Sequence, residues 1–201
     1  MIIGITGSFG SGKTTVADLF AKHGFRVINV DKLYHNIYKK NNELKNKIKK
    51  EFGTLDRNKI KNIVFNDSKK LKKLNEITHP IIIKEIKKEI IRKSNNRICS
   101  MIDKNCTGDI KIALDIPLLF EAKATNLVDK IIVVKCNKNE QINRILKKKK
   151  YTKKEINNII NSQMPLKEKI KKADFVVDNG KAIKEVGKQV KNIVKAIHIN
   201  I

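Results

Sequence analysis

Apolar positions fall into two patterns along the chain. Short apolar runs at residues 2–5, 25–30, 110–115, 128–134 and 173–177 have the length and β-branched content of buried strands. Between them, apolar residues recur three and four apart, the spacing of one helix face. Val16, Ala17, Leu19 and Phe20 mark a first helix from Lys13 to about Lys22, closing near Gly24. Residues 32–94 keep helical spacing almost throughout and predict helices near 32–40, 43–51, 57–65, 68–76 and 80–94. A short helix starts at Pro165, where proline suits a first turn. The last helix, 182–197, carries an apolar stripe of Ile183, Val186, Val190, Ile193, Val194 and Ile197. Five strands alternating with helices predict an α/β fold with helices on both faces of a parallel sheet. The helical stretch 32–94 is too long for a plain crossover, so it is an insertion between the second and third strands.

The junction of the first strand and helix carries chemistry. Gly7-Ser8-Phe9-Gly10-Ser11-Gly12-Lys13-Thr14 fits the pattern G-x-x-x-x-G-K-[ST] at every fixed position. A triphosphate must be wrapped by several backbone N–H groups at once, and glycines let the chain turn tightly and come close. The following helix aims its free N–H groups and positive dipole end at the anion. Lys13 then reaches the β- and γ-phosphates, and the Thr14 hydroxyl ligates Mg²⁺. The strand before the motif and the helix after it are the context this loop requires. The predicted fold is therefore a P-loop NTPase-type three-layer α/β/α domain with a five-stranded parallel sheet, a helical substrate-binding insertion and a lid. Its core comprises about residues 1–31, 110–140 and 173–201, the acceptor-binding part about 32–94 and the lid about 141–172.

Other residues fall on the same rim or near it. Asp31 directly follows the second strand, and ligands of open parallel sheets lie beyond the carboxyl ends of the strands. It is either the acid that receives or orients a substrate hydroxyl, or the cap of the helix at 32–40. Asp115 ends the third run, where phosphate-loop enzymes place an acid beside Mg²⁺. Arg57, at a helix start, has the charge to meet a phosphate. His79 stands just before Pro80, which suits the first position of a new helix. Asn137 to Glu140 is a near miss to a guanine-reading motif and reads better as a helix start. The dense basic run from Arg144 to Lys154 has the character of a lid that closes over the triphosphate and shuts out water. Arg144 and Lys148 lie one helical turn apart and can face the nucleotide together.

Composition narrows the class. The chain has 201 residues and a formal net charge of +25. Positive potential gathers polyanionic substrates. Three tyrosines and no tryptophan offer little stacking surface for bases, so no specific nucleic-acid partner is expected. No run approaches the length of a membrane span, and the first residues enter a core strand with no secretory leader. Cys99, Cys106 and Cys136 form no C-x-x-C pair, which suits reduced thiols in a cytoplasm. Residues 95–109 break the helical period and read as an exposed loop.

The whole chain resembles the dephospho-CoA kinase family. The likeness rests on GITGSFGSGKTTVADLF, VINVD, LDRNKIKNIVF, LNEITHPII, LDIPLLFE, Gln141 to Arg144, SQMPLKEK and ADFVVDNG. It implies phosphorylation of the ribose 3′-hydroxyl of dephospho-CoA by ATP with Mg²⁺. ATP would lie on Gly10, Ser11, Gly12, Lys13, Thr14 and Thr15, with Asn179 and Gly180 near the adenine. Asp31 would act on the hydroxyl, and Arg144 would be the lid arginine. His79 and the segment Pro117, Leu118, Leu119 and Glu121 would border the acceptor. Asn29 and Lys148 stand where the family often has aspartate and arginine, and Ile159 replaces another arginine.

Overall fold

The computed structural model describes residues 1–95, 110–147, 149 and 151–199, without the side chains at 65, 198 and 199. Most of the predicted loop at 95–109, with Cys99 and Cys106, lies outside them, as does Lys148.

The five strands are β1 (Ile2–Gly7), β2 (Arg26–Asn29), β3 (Ile112–Asp115), β4 (Lys130–Lys135) and β5 (Phe175–Asp178). They form one sheet of order β2-β3-β1-β4-β5, parallel throughout. The chain leaves the central strand β1 for one side of the sheet and later crosses to the other. Such a switch opens a crevice at the carboxyl end of β1. Register gathers the strand ends along one rim: Asn29 stands beside Asp115, Gly7 beside Val134 and Lys135 beside Asp178.

The strand period of two sends alternate side chains to opposite faces. Ile3 and Ile5 join Val16 and Phe20 of α1 (Lys13–Ala21) and Val190 and Val194 of α9 (Ile183–Ile199). Ile28, Ile112 and Leu114 join Ile86 of α5 (Ser68–Ser94) on the other face. A third cluster of Ile37, Leu44, Ile48, Ile60 and Val64 holds the insertion together. It is built from α2 (Val30–Lys40), α3 (Asn42–Phe52), α4 (Arg57–Asn66) and α5. Between β4 and β5 lie α6 (Lys138–Leu146), α7 (Lys153–Asn161) and α8 (Leu166–Lys171). No helix among the described residues is long and apolar enough to cross a membrane.

One helical boundary differs from expectation. The helices predicted at 68–76 and 80–94 are a single helix, and Pro80 lies inside it. Proline has no N–H to offer the Glu76 carbonyl, an interruption that usually kinks or ends a helix. Burial on both flanks carries the helix through. Leu74, Ile77 and Ile81 pack on the insertion cluster, whereas Ile83, Ile86 and Ile90 pack on the sheet. The tie between the two clusters outweighs the one lost hydrogen bond.

Candidate active site

The phosphate loop is shaped by its glycines and held by distant residues. Gly10 and Gly12 have φ of 80° and 87°, in the left-handed region where a side chain is strained. Space is closed as well. A Cβ on Gly10 would lie 2.5 Å from Ile145 Cδ1, and one on Gly12 would lie 2.0 Å from Asn179 Nδ2. Gly12 begins α1 without any side-chain cap, so the first-turn N–H groups keep their capacity for an anion. The Asn179 amide donates to Ser11 O at 2.9 Å. The Phe9 N–H donates to Gln163 Oε1 at 3.1 Å, and the Phe9 carbonyl accepts from Gln141 Nε2.

Lys13 folds back over this loop. Its ammonium donates to Ser8 O at 2.9 Å and Gly7 O at 3.3 Å, and the residue is only 8% exposed. Burial lowers its pKa to about 8, against the opposing pull of Asp115 and Asp31. Thr14 Oγ1 donates to Asp115 Oδ2 at 2.9 Å, and Asn29 Nδ2 donates to the same oxygen at 2.8 Å. Burial pushes the Asp115 carboxyl above its usual range, while Thr14, Lys13 and Asn29 restrain the shift.

Asp31 sits in the first turn of α2 with its side chain exposed on the rim. Surrounding protein raises its pKa, the Asp115 charge adds to the rise, and Lys13 opposes it. The cap of α2 is Asn29, whose Oδ1 accepts from Lys32 N at 2.8 Å. The capping alternative for Asp31 therefore falls away. One asparagine caps the helix and orients Asp115, leaving the Asp31 carboxylate uncommitted to the backbone.

The opposite wall comes from α6 and the end of β5. Arg144 Nη2 donates to Asn179 O at 2.9 Å and lies 3.4 Å from Glu140 Oε1. Gly180 N donates to Asp178 Oδ1 at 3.0 Å. Lys135, Cys136, Asn137, Glu140, Asp178 and Gly180 border a depression of about 350 Å³ beside these residues. Asn137 caps α6 by accepting from Asn139 N at 2.9 Å, as the reading of this segment as a helix start requires.

On the acceptor side, His79 is half-buried inside α5 rather than standing before a helix. Burial lowers its pKa and Glu121 opposes that. Arg57 is exposed. It meets His35 Nδ1 at 2.8 Å and lies 5.6 Å and 6.0 Å from the ring centres of Tyr38 and Tyr34. Pro117 and Leu118 are half-buried. Leu119 is 0% exposed within the core. Glu121 is drawn inward by Lys169 at 2.8 Å.

The rim thus brings together the loop, Lys13, Thr14, Thr15, Asp31, Asp115, Arg144 and Asn179. Gln141, Gln163 and Lys169 were given no role from the sequence. The signals lay in the i,i+3 spacing of Gln141 and Arg144, which puts both on one helix face, and in SQMPLKEK, which holds the other two.

A phosphate loop after the central strand of a 2-3-1-4-5 parallel sheet, with a helical insertion between its second and third strands, defines a P-loop kinase. The family model for dephospho-CoA kinase matches residues 1–185. A dephospho-CoA kinase of Carboxydothermus hydrogenoformans is 38% identical over 202 residues, covering 96% of this chain and 93% of the relative. A crystal structure from Thermus thermophilus superposes with a TM-score of 0.77 at 30% identity, covering 98% of this chain and 96% of that one. The dephospho-CoA kinase of Campylobacter jejuni gives a TM-score of 0.64 at 26% identity, covering 100% of this chain and 98% of that one. The chain belongs to the dephospho-CoA kinase family. It is a phosphotransferase with an alcohol group as acceptor.

Proposed function

We propose that the protein transfers the γ-phosphoryl group of ATP to the ribose 3′-hydroxyl of dephospho-CoA, giving coenzyme A and ADP, and that Asp31 prepares that hydroxyl. One observation carries the reading. Asp31 shares the rim with Lys13 and Asp115, close enough for their charges to act on one another, while Asn29 relieves it of the cap.

In this reading the triphosphate lies on Gly7 and on Gly10 to Thr15. The loop N–H groups orient it, and Lys13 turns from its carbonyl partners to the β- and γ-phosphates. The adenine fills the depression beside Asn179 and Gly180. Asp31 accepts a hydrogen bond from the acceptor hydroxyl and aims it in line with the γ-phosphorus. Arg144, held by Asn179, faces the charge that develops on the transferring group. Arg57, His79, Pro117 and Leu118 border the acceptor, and Glu121 supports that border from within. Positive surface charge gathers both anionic substrates.

The donor set fits a magnesium ion. Thr14 offers a hydroxyl at the loop mouth, and burial pushes up the carboxyl of its Asp115 partner, so that group gains from a nearby cation. Two protein oxygens suit an ion that otherwise keeps water and phosphate ligands. When bound, it would neutralise charge on the phosphate oxygens. A cytoplasmic location accords with this chemistry, in which ATP and a coenzyme precursor are both at hand.

The experiment is a phosphorylation assay with labelled ATP and a panel of acceptors, run on the wild type and Asp31→Asn. Dephospho-CoA should be the preferred acceptor. The variant should keep its ATP affinity while turnover falls by about a hundredfold or more. A loss below tenfold, about 1.4 kcal/mol of barrier, would remove Asp31 from the base role.

A further inference from the structure

Among the described residues, the most deeply buried charged side chain is Lys169, in α8. Its side chain is 0% exposed and lies 2.8 Å from Glu121 Oε1, whose side chain is 15% exposed. The same ammonium reaches Pro117 O at 3.5 Å. Lys169 therefore holds both ends of the segment 117–121, which follows β3.

That segment is tied in turn to the reacting rim. Pro117 O also accepts from Thr6 Oγ1 of β1 at 3.1 Å. Glu121 Oε1 also accepts from Met164 N at 2.9 Å. The neighbouring residue, Gln163, receives the Phe9 N–H of the phosphate loop at 3.1 Å. Glu121 acts electrostatically on His79 of α5. Lys169 and Glu121 both act on Lys13. A single ion pair thus stands between the acceptor border and the phosphate loop.

Stability is a poor reason to keep this pair. Desolvating two charges is costly, and well-packed apolar residues often replace a buried pair without loss. Among the described residues, no protein group meets the second carboxylate oxygen, Glu121 Oε2. What the pair supplies is fixed geometry: a short, directional link that an apolar contact does not reproduce.

We propose that Lys169 is a positioning residue for phosphoryl transfer, setting through Glu121 and Pro117 where the acceptor border stands against the phosphate loop. The inference rests on the acceptor site proposed above. It extends that site to a residue that touches neither substrate. A displacement of about 1 Å at the reacting atoms can cost about a hundredfold in rate, which is the scale expected on its removal.

The test compares wild type, Lys169→Met, and the double variant Lys169→Met with Glu121→Leu, by melting temperature and by kcat and KM for ATP and for dephospho-CoA separately. Lys169→Met should lose kcat by about a hundredfold with KM for ATP within about threefold of wild type. It should also melt lower, because it strands a buried carboxylate. The double variant should regain the wild-type melting temperature and not its kcat. Recovery of kcat to within about threefold alongside stability would reduce the pair to a packing element and overturn the proposal. A parallel rise in KM for ATP would overturn it too, since that points to general loosening. Should Lys169→Met fail to fold, Lys169→Arg decides: a cation kept but displaced by the larger guanidinium should lower kcat about tenfold or more at unchanged KM for ATP, and wild-type kcat would overturn the proposal. A wild type that ignores dephospho-CoA would instead strike at the acceptor reading, so the two failures are distinct.

Discussion

Around the phosphate loop, Lys13, Asp115, Gln141 and Asn179 are each no more than 8% exposed. In the insertion, Asp31 and Arg57 are exposed. The first group is interlocked by hydrogen bonds that span the chain, such as Asn179 to Ser11 and Gln141 to Phe9. Among the described residues, Arg57 meets His35, Tyr34 and Tyr38, all within its own helical part. The walls of the nucleotide half are thus tied together without a ligand, while Lys13 exchanges its carbonyl partners for phosphate. On the acceptor side, Asp31 and Arg57 present charge at the surface, where a ligand can order it. Preorganised groups are worth most in catalysis because nothing is spent on reorganising them. Exposed groups discriminate among ligands at small cost to the fold.

This contrast can be broken at several points. The largest effect is expected from Lys13→Met. Turnover should fall by about a thousandfold, since the donor facing the developing charge is gone. Stability should move the other way. A lysine whose folded pKa lies near 8 and whose unfolded value is 10.5 burdens the fold with a buried charge below about pH 8. That burden is relieved as pH rises from about 8 to 10.5, where the unfolded state binds more protons. Near neutral pH its size is on the order of 3 kcal/mol. Lys13→Met should therefore melt no lower than wild type at pH 7 and gain less than wild type from raising the pH. A lower melting point would mean the loop needs the ammonium as a structural tie.

Gly12→Ala comes next. The added Cβ meets the Asn179 amide and must hold a positive φ. A strain of about 2 kcal/mol, roughly thirtyfold in ATP affinity, is expected, with KM for dephospho-CoA little changed. Arg57→Ala should do the reverse at smaller scale. KM for dephospho-CoA should rise about fivefold while KM for ATP stays put, as suits an exposed charge worth about 1 kcal/mol. Equal rises in both constants would erase the distinction between the halves.

The gentlest probe is pH. ATP affinity should decline as pH passes about 8, where the free enzyme's Lys13 loses its proton. On the acid side, Asp31 must be ionised to receive the hydroxyl. Its pKa is raised, so turnover should begin to fall at a higher pH than an ordinary aspartate would give. In Asp31→Asn the acid limb should disappear from the residual activity.

The legible and illegible parts divide along the same line. The five strands and the phosphate loop announce themselves through apolar runs and glycine spacing, which depend on neighbours in sequence. Asp115 ends its strand as expected, and Asp31 lies on the rim as expected. The hidden features depend on tertiary context. Pro80 reads as a helix start because the packing that carries α5 through it comes from two separate clusters. Asn29 and Asp31 are equally plausible caps by residue type, and only the geometry gives the cap to Asn29. Lys169 sits among Lys167, Lys171 and Lys172, in a run that reads as a solvated face. Nothing in that run distinguishes the lysine that is wholly enclosed.

The hydrogen bond from Asn179 to Ser11 spans nearly the whole polypeptide. β1 also needs β3 and β4 on its flanks before its loop has walls. During synthesis, then, the phosphate loop is made well before the partner that closes it, and the cradle stays incomplete until the chain has grown past residue 179. A truncated product ending short of that point would carry an intact motif and still lack its ATP grip.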